Sequence, residues 1–381
     1  MTTCNNPWNE AYRLAAGKQK SSTQITTLRK PEGTLTEDLQ ETLKYMLEHF
    51  APDDTQHDDS DLHKQARTLS MEPMYTEDDK DFTVQEIRNA VLSLGDKKAP
   101  GVDGITGEIF NVAFKQFPNF ITALYNGCLR QGTFPTRWKR AKMTPISKPG
   151  KEKSEEVSEF RPISLLIVGG KTFEKVLINR INYYANLHDS LNTHQYGFTP
   201  QKSTTDAAVE IKNYVMEGLA GGEVIALISL YVSGAFDAAF WPSILNGLIE
   251  CGCPKNLYNL TKSYFSNRTV VLSCNSLQIE EVSRGCPQGS CCGPGYWNIQ
   301  YNSLLNLPFK DKTKVVAFAD NLILAIRAGS IRAVENYSNG GLSKVTVWSK
   351  TNKTKFNEEK SKVMLISIRK ERIPSTECIL E

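Results

Sequence analysis

Val315-Val316-Ala317-Phe318-Ala319-Asp320-Asn321-Leu322-Ile323-Leu324-Ala325-Ile326 is the stretch on which the fold of this chain turns. Two apolar, β-prone runs, Lys314–Ala319 and Leu322–Ile326, flank a polar pair. The stretch therefore predicts two short strands joined by a tight turn at Ala319-Asp320-Asn321. A charged residue inside so short an apolar run excludes a membrane span. Taken alone, an aspartate at a hairpin tip is a turn residue. Its weight comes from what surrounds it.

Upstream, Val224–Val232 is a further β-prone stretch, and Pro242 opens a helix that ends near Gly252. Thr269–Ser273 and Leu277–Val282 form a predicted hairpin. A Gly/Pro-rich loop, Gly285–Gly295, leads into a helix reaching Leu307. Nearer the N-terminus, Thr83 and Glu86 form a capping box, and Phe82 can staple to Ile87. Ile87, Ala90, Val91 and Leu94 follow helical spacing. Two more amphipathic helices carry Ile121, Leu124, Tyr125, Cys128 and Leu129, and then Phe173, Val176, Leu177 and Ile181. Ser203 caps a fourth, from Thr204 to about Gly218. After the central hairpin come a helix, a polar loop and a last strand, Val363–Ser367. Helices interspersed with short strands place the chain in the α+β class.

The 381 residues leave room for two or three domain-sized units, and 40% hydrophobic and 23% charged residues are ordinary for a globular protein. A formal net charge of +3 neither demands nor excludes nucleic acid. The nine cysteines are scattered, and the Cys286, Cys291 and Cys292 group has no histidine beside it, so zinc is disfavoured. Reduced thiols, a polar Met1–Arg13 and no apolar span predict an intracellular protein of the cytoplasm or nucleus, not a membrane protein. Residues 1–70 read as an extension. Within it Ala51–Asp61 reads as an acidic, solvated loop, and His57-Asp58-Asp59 as loop residues, not a metal cluster.

Several phrases then fall in one order along the chain. Phe318-Ala319-Asp320-Asn321 resembles the aromatic-Ala-Asp-Asp signature of reverse transcriptases, specifically those of non-LTR, LINE-type retrotransposons of insect type. Leu230-Tyr231-Val232-Ser233-Gly234-Ala235-Phe236-Asp237 resembles the family's other carboxylate motif, with Tyr231 where an aspartate is expected. Arg284-Gly285-Cys286-Pro287-Gln288-Gly289-Ser290 is similar to its nucleotide-binding loop. Phe160-Arg161-Pro162-Ile163-Ser164-Leu165-Leu166 resembles its fingers. Lys97-Lys98-Ala99-Pro100-Gly101-Val102-Asp103-Gly104, His194-Gln195-Tyr196-Gly197-Phe198 and Phe356-Asn357-Glu358-Glu359-Lys360-Ser361 match further family phrases.

The resemblance implies a right-hand polymerase of fingers and palm, the palm an antiparallel sheet backed by helices. It divides the chain into an extension (1–74), fingers with the start of the palm (75–222), palm (223–370) and a tail (371–381), with the family's thumb and upstream endonuclease expected to be largely missing. It implies RNA template, DNA primer and deoxynucleotides as partners, and two Mg2+ ions held by carboxylates, because magnesium takes oxygen ligands. By the same resemblance Asp320 is the catalytic carboxylate and metal ligand, and Asn321 and Tyr231 are degenerate catalytic positions. Lys360 protonates the leaving pyrophosphate, Lys148 and Arg161 clamp the triphosphate, Phe236 excludes a 2′-hydroxyl, and Gln288 with Gly289 contacts the nucleotide. Thr199 stands where the family has arginine, and Gly340-Gly341 sits inside a predicted helix, where each glycine costs roughly 0.5–1 kcal/mol relative to alanine. The reading is a mutated, truncated RNA-directed DNA polymerase whose activity is lost. The alternatives are a non-catalytic nucleic-acid-binding remnant and an RNA-directed RNA polymerase, the last disfavoured by Phe236. Oligomeric state is open.

Overall fold

In the computed structural model, which describes residues 27–95, 98–151, 154–273 and 277–368, two sheets are held between helices. The central hairpin forms as expected: β6 (Thr313–Phe318) and β7 (Asn321–Ala328) pair antiparallel, and β7 pairs antiparallel with β3 (Val224–Ser233). The far side of β3 takes β8 (Lys355–Phe356) at its C-terminal end and β9 (Lys362–Ile366) along its middle, both antiparallel. Central β3 is apolar on both faces because both are covered. On one face Ile228, Leu230, Leu322 and Leu324 pack against Trp297, Tyr301 and Leu304 of helix Gly293–Leu305 and Leu342, Val345 and Trp348 of helix Ile331–Thr351. On the other, Ala207 and Ile211 of helix Thr204–Ala220 meet Val316 and Ala325.

The second sheet runs β2 (Phe160–Leu165), β1 (Arg140–Ser147), β4 (Arg268–Ser273), β5 (Leu277–Val282). The β4–β5 hairpin is the expected one. Strands β1 and β2 were not anticipated, because each carries a proline, normally a mark against a strand. Pro145 and Pro162 stand opposite each other in the pair, with β2 at the sheet edge. A large helical core carries Phe82, Ile87, Ile121, Tyr125, Phe173 and Leu177, and the Thr83–Glu86 and Ser203–Asp206 capping boxes both form.

The N-terminal extension needs correction. Helix Leu39–Phe50 buries Leu43, Met46, Leu47 and Phe50 with Met143, Phe160, Val270 and Leu272 of the second sheet. Helix Asp61–Met71 follows, packed on helix Trp241–Glu250. The acidic loop between them is not simply solvated. Asp54 and Asp59, 6% and 2% exposed at their side chains, each pair with both Arg67 and Lys353. Acidic residues predict a solvated loop only when nothing cationic waits in the fold, and Lys353 lies about three hundred residues away. Residues 1–26, Lys97 and the 371–381 tail lie outside the described residues.

Candidate active site

The hairpin tip is fixed from three sides. Ala319 takes φ 56°, unusual for a residue with a side chain, and its neighbours hold it there. Gln195 accepts from the Ala319 N–H at 3.1 Å and the Gly197 N–H at 2.9 Å, and its own amide donates to the Ala319 carbonyl at 3.3 Å. Trp297 Nε1 donates to the same carbonyl at 3.1 Å. Gly197 must be glycine: a Cβ there would lie 2.0 Å from the Ala319 nitrogen. The phrase His194–Phe198 is thus the clamp that seats the turn. Sequence reading recognised the phrase without assigning Gln195 this task. Thr199 closes the same turn, its hydroxyl donating to the Gln195 carbonyl at 3.1 Å.

So seated, the tip meets the end of β3. Tyr231 pairs directly with Asn321, and the Val232 N–H donates to the Asp320 carbonyl at 3.2 Å. The Lys360 loop closes the third side. Asn357 donates its N–H to the Tyr231 carbonyl at 2.7 Å and accepts the Lys360 N–H at 2.9 Å, which places the Lys360 ammonium 4.7 Å from the centroid of the Tyr231 ring. Burial pushes the Asp320 carboxyl up, opposed by hydrogen bonding to its own backbone and to the Tyr231 hydroxyl and by the Lys360 charge. Burial, then the charge of Asp320, raises the Tyr231 phenol, opposed by nearby Arg161. Tyr231, Asp320, Asn321 and Lys360 are therefore one cluster, with the exposed Arg161 beside it.

The turn after β3 and the loop Arg284–Gly289 are bonded to each other, and the loop is bonded to β2. At Gly234 (φ 53°) the chain leaves β3 for the short helical turn Ala235–Ala238. Phe236 faces Phe198 edge-on at 5.8 Å and lies against Gly293 at the start of its helix. Gln288 is bonded to β2 by its backbone carbonyl, which accepts the Ser164 N–H at 2.7 Å. Its side chain donates to both oxygens of Asp237, each at 3.1 Å. Gly289 (φ 116°) passes so close to Ser164 that a Cβ would lie 2.9 Å from the carbonyl oxygen. Burial pushes the Asp237 carboxyl up to about 6, and its contact with Gln288 is one that the sequence did not show. The Lys148 ammonium donates to the Ser158 carbonyl on its own hairpin.

The reverse-transcriptase family generally uses magnesium, and the fit of a metal pair here rests on the donors. Asp320 is the one carboxylate in the cluster. Tyr231 is a protonated phenol, a poor magnesium ligand at neutral pH. Asn321 offers at best a neutral amide oxygen, and Lys360 brings a positive charge. Among the described residues no group of three or more His, Cys, Asp or Glu side chains could hold a metal ion. This donor set does not fit a pair of divalent cations. No helix among the described residues is long and apolar enough to cross a membrane.

A family model described as "Reverse transcriptase (RNA-dependent DNA polymerase)" matches residues 146–378. The chain is 30% identical to a 115 kDa protein in the type-1 retrotransposable element R1DM of Drosophila melanogaster, over 97% of this chain and 34% of that protein. It is 30% identical to a Pol polyprotein from type-1 retrotransposable element R1 of Bradysia coprophila, over 91% of this chain and 33% of the relative. It is 27% identical to the RNA-directed DNA polymerase from mobile element jockey of Drosophila melanogaster, over 73% of this chain and 31% of the relative. The chain spans about a third of the length of these relatives. With the hairpin paired to the β3 motif, the glycine-rich loop bonded to the turn after β3, and this match covering most of the chain, the protein belongs to the reverse transcriptase (RNA-dependent DNA polymerase) family, its likeness running to non-LTR retrotransposon polyproteins.

Proposed function

We propose that this chain is the polymerase region of a retrotransposon reverse transcriptase that has kept its binding cleft and lost nucleotidyl transfer. The observation that carries the reading is the direct pairing of Tyr231 with Asn321 beside Asp320, two positions where the family's motifs have carboxylates. Transfer between phosphates depends on placing charge where charge develops. Here the remaining carboxylate is bonded to a phenol and faced by an ammonium, so the cluster is close to neutral without any added cation. Both substitutions thus remove negative charge where a transition state would need metal ions gathered.

The rest of the cleft supports continued binding. Arg161 is exposed at its rim and supplies a cation for a phosphate. On this reading Phe236, five residues past Tyr231, is the gate against a 2′-hydroxyl, which favours deoxynucleotides over ribonucleotides. On this reading Gln288 and Gly289 contact the nucleotide. The partners on this reading are an RNA–DNA hybrid and deoxynucleotides. The test pairs two assays on the full chain. Fluorescence anisotropy with a labelled RNA–DNA hybrid should show salt-dependent binding, whereas magnesium-dependent primer extension should be near background. Robust extension, or no binding at low salt, overturns the reading.

A further inference from the structure

Within the loop from Arg284 to Gly289, where Gly285 and Cys286 donate their N–H groups to the Ala239 and Phe236 carbonyls, Gln288 makes two attachments of its own. Its backbone is tied to β2 through the Gln288 carbonyl and the Ser164 N–H. Its side chain is tied to the turn after β3: the Gln288 amide nitrogen lies 3.1 Å from each oxygen of Asp237. An ionised carboxylate only accepts hydrogen bonds, whereas a glutamine amide has a donating NH2 end and an accepting oxygen end. Asp237 can therefore take only the NH2 end. The amide oxygen is left facing away from Asp237, with no donor to it among the described residues. We propose that Asp237 is a positioning residue that fixes the Gln288 amide with its NH2 inward, so that the loop presents a carbonyl oxygen, a hydrogen-bond acceptor, to the cleft. The ligand this suits is one offering a hydroxyl or amino donor, such as the sugar hydroxyl of a deoxynucleotide. That last step rests on the nucleotide-binding reading of the cleft.

The surroundings of Asp237 fit a group held for orientation. Behind it lies a cavity of about 40 Å³, which it lines together with Ser164, Arg268, Arg284, Cys286 and Gln288. Two guanidinium nitrogens on this cavity's lining residues, Arg268 Nη2 and Arg284 Nε, are buried without a partner among the described residues. Arg268 itself is 2% exposed. The titratable groups that share the cavity with Asp237 are thus Arg268, Arg284 and the buried Cys286 thiol. Burial raises the Asp237 carboxyl, and the Gln288 bond opposes that rise. Protonation supplies the carboxyl with a donor of its own, so the Gln288 amide loses its one-sided preference below the midpoint.

The test reads the amide directly. The full chain is labelled with 15N-glutamine, and the Gln288 side-chain NH2 signal is assigned by its loss in Gln288→Ala. The expected result is a shift of that signal with a midpoint at about pH 6, absent in Asp237→Asn, while the other glutamine amides stay put. A Gln288 amide that does not respond to pH between 5 and 7.5 overturns the proposal, and this arm needs no variant at Asp237. Addition of a deoxynucleoside triphosphate to the same samples checks the underlying reading separately. If the amide titrates but ignores the nucleotide, the positioning role stands and nucleotide recognition by Gln288 falls.

Discussion

Replacing Lys353 with methionine would strike the ionic square that fastens the N-terminal segment to the rest of the fold. Lys353 Nζ lies 2.8 Å from Asp54 and 2.5 Å from Asp59, and Arg67 bonds the same two carboxylates at 2.8 and 2.6 Å. Phe240 lies under both cations, 5.4 Å from the ammonium and 5.2 Å from the guanidinium. Methionine keeps most of the stem's volume, so the loss is mainly of charge. Two nearly buried carboxylates would then share one cation. Breaking a buried pair in this way costs about 3–5 kcal/mol, a large part of the ~5–15 kcal/mol by which a domain is stable. The assay is urea unfolding at pH 7 followed by circular dichroism, with Lys353→Arg as the charge-keeping control. A second readout is acid. The Arg67 guanidinium holds Asp59 down at about 2, against an ordinary 3.8. Because the folded value is the lower one, this contribution is complete above pH 4 and lost as pH falls through 2. It amounts to roughly 2 kcal/mol, from about 1.36 kcal/mol per unit. Asp59→Asn should flatten that part of the acid limb. If Lys353→Met unfolds within ~0.5 kcal/mol of the parent, the N-terminal segment is attached by its apolar helix alone and the ionic argument is wrong.

Two further outcomes follow from the site. Gly197→Ala places a Cβ against backbone, 2.0 Å from the Ala319 nitrogen, so the turn that carries Asp320 must shift. Thermal unfolding should show a loss of at least the ~1–3 kcal/mol typical of overpacking, and an unchanged melting temperature would contradict the clamp. Phe236→Ala, made in a chain with aspartate restored at positions 231 and 321, should admit ribonucleotides, with ribonucleotide use rising more than deoxynucleotide use falls. An unaltered sugar preference in competition extension assays would remove Phe236 from the role of gate.

How much of this could be read from residues alone depended on whether the signal was local. The β6–β7 hairpin, β3 and the capped helices at Thr83 and Ser203 were legible because alternation, helical spacing and capping boxes act within a few residues. The juxtaposition of Tyr231 with Asp320 followed from the order of the motifs. Strands β1 and β2 were hidden by Pro145 and Pro162, whose place opposite each other depends on pairing and not on propensity. Helix Leu39–Phe50 did carry a helical repeat in Leu43, Met46, Leu47 and Phe50, obscured by the acidic stretch that follows. The ionic square, the Gln195 clamp and the Asp237–Gln288 contact were beyond reach, since each joins segments 51 to 299 residues apart. Lys148, whose phrase pointed to the triphosphate, also donates to the Ser158 carbonyl, a contact that its phrase did not show.

The central claim is that two side chains separate this cleft from catalysis. Its most direct measurement is magnesium-dependent extension of a DNA primer on an RNA template by the unmodified chain beside the Tyr231→Asp, Asn321→Asp double variant, at equal and saturating hybrid. Each motif carboxylate is worth several kcal/mol of transition-state stabilisation, and every 1.36 kcal/mol is about tenfold in rate. Hybrid binding should be of similar strength in both proteins, and the extension rate of the unmodified chain lower by orders of magnitude. Equal extension rates, with Tyr231 and Asn321 in place, would contradict it.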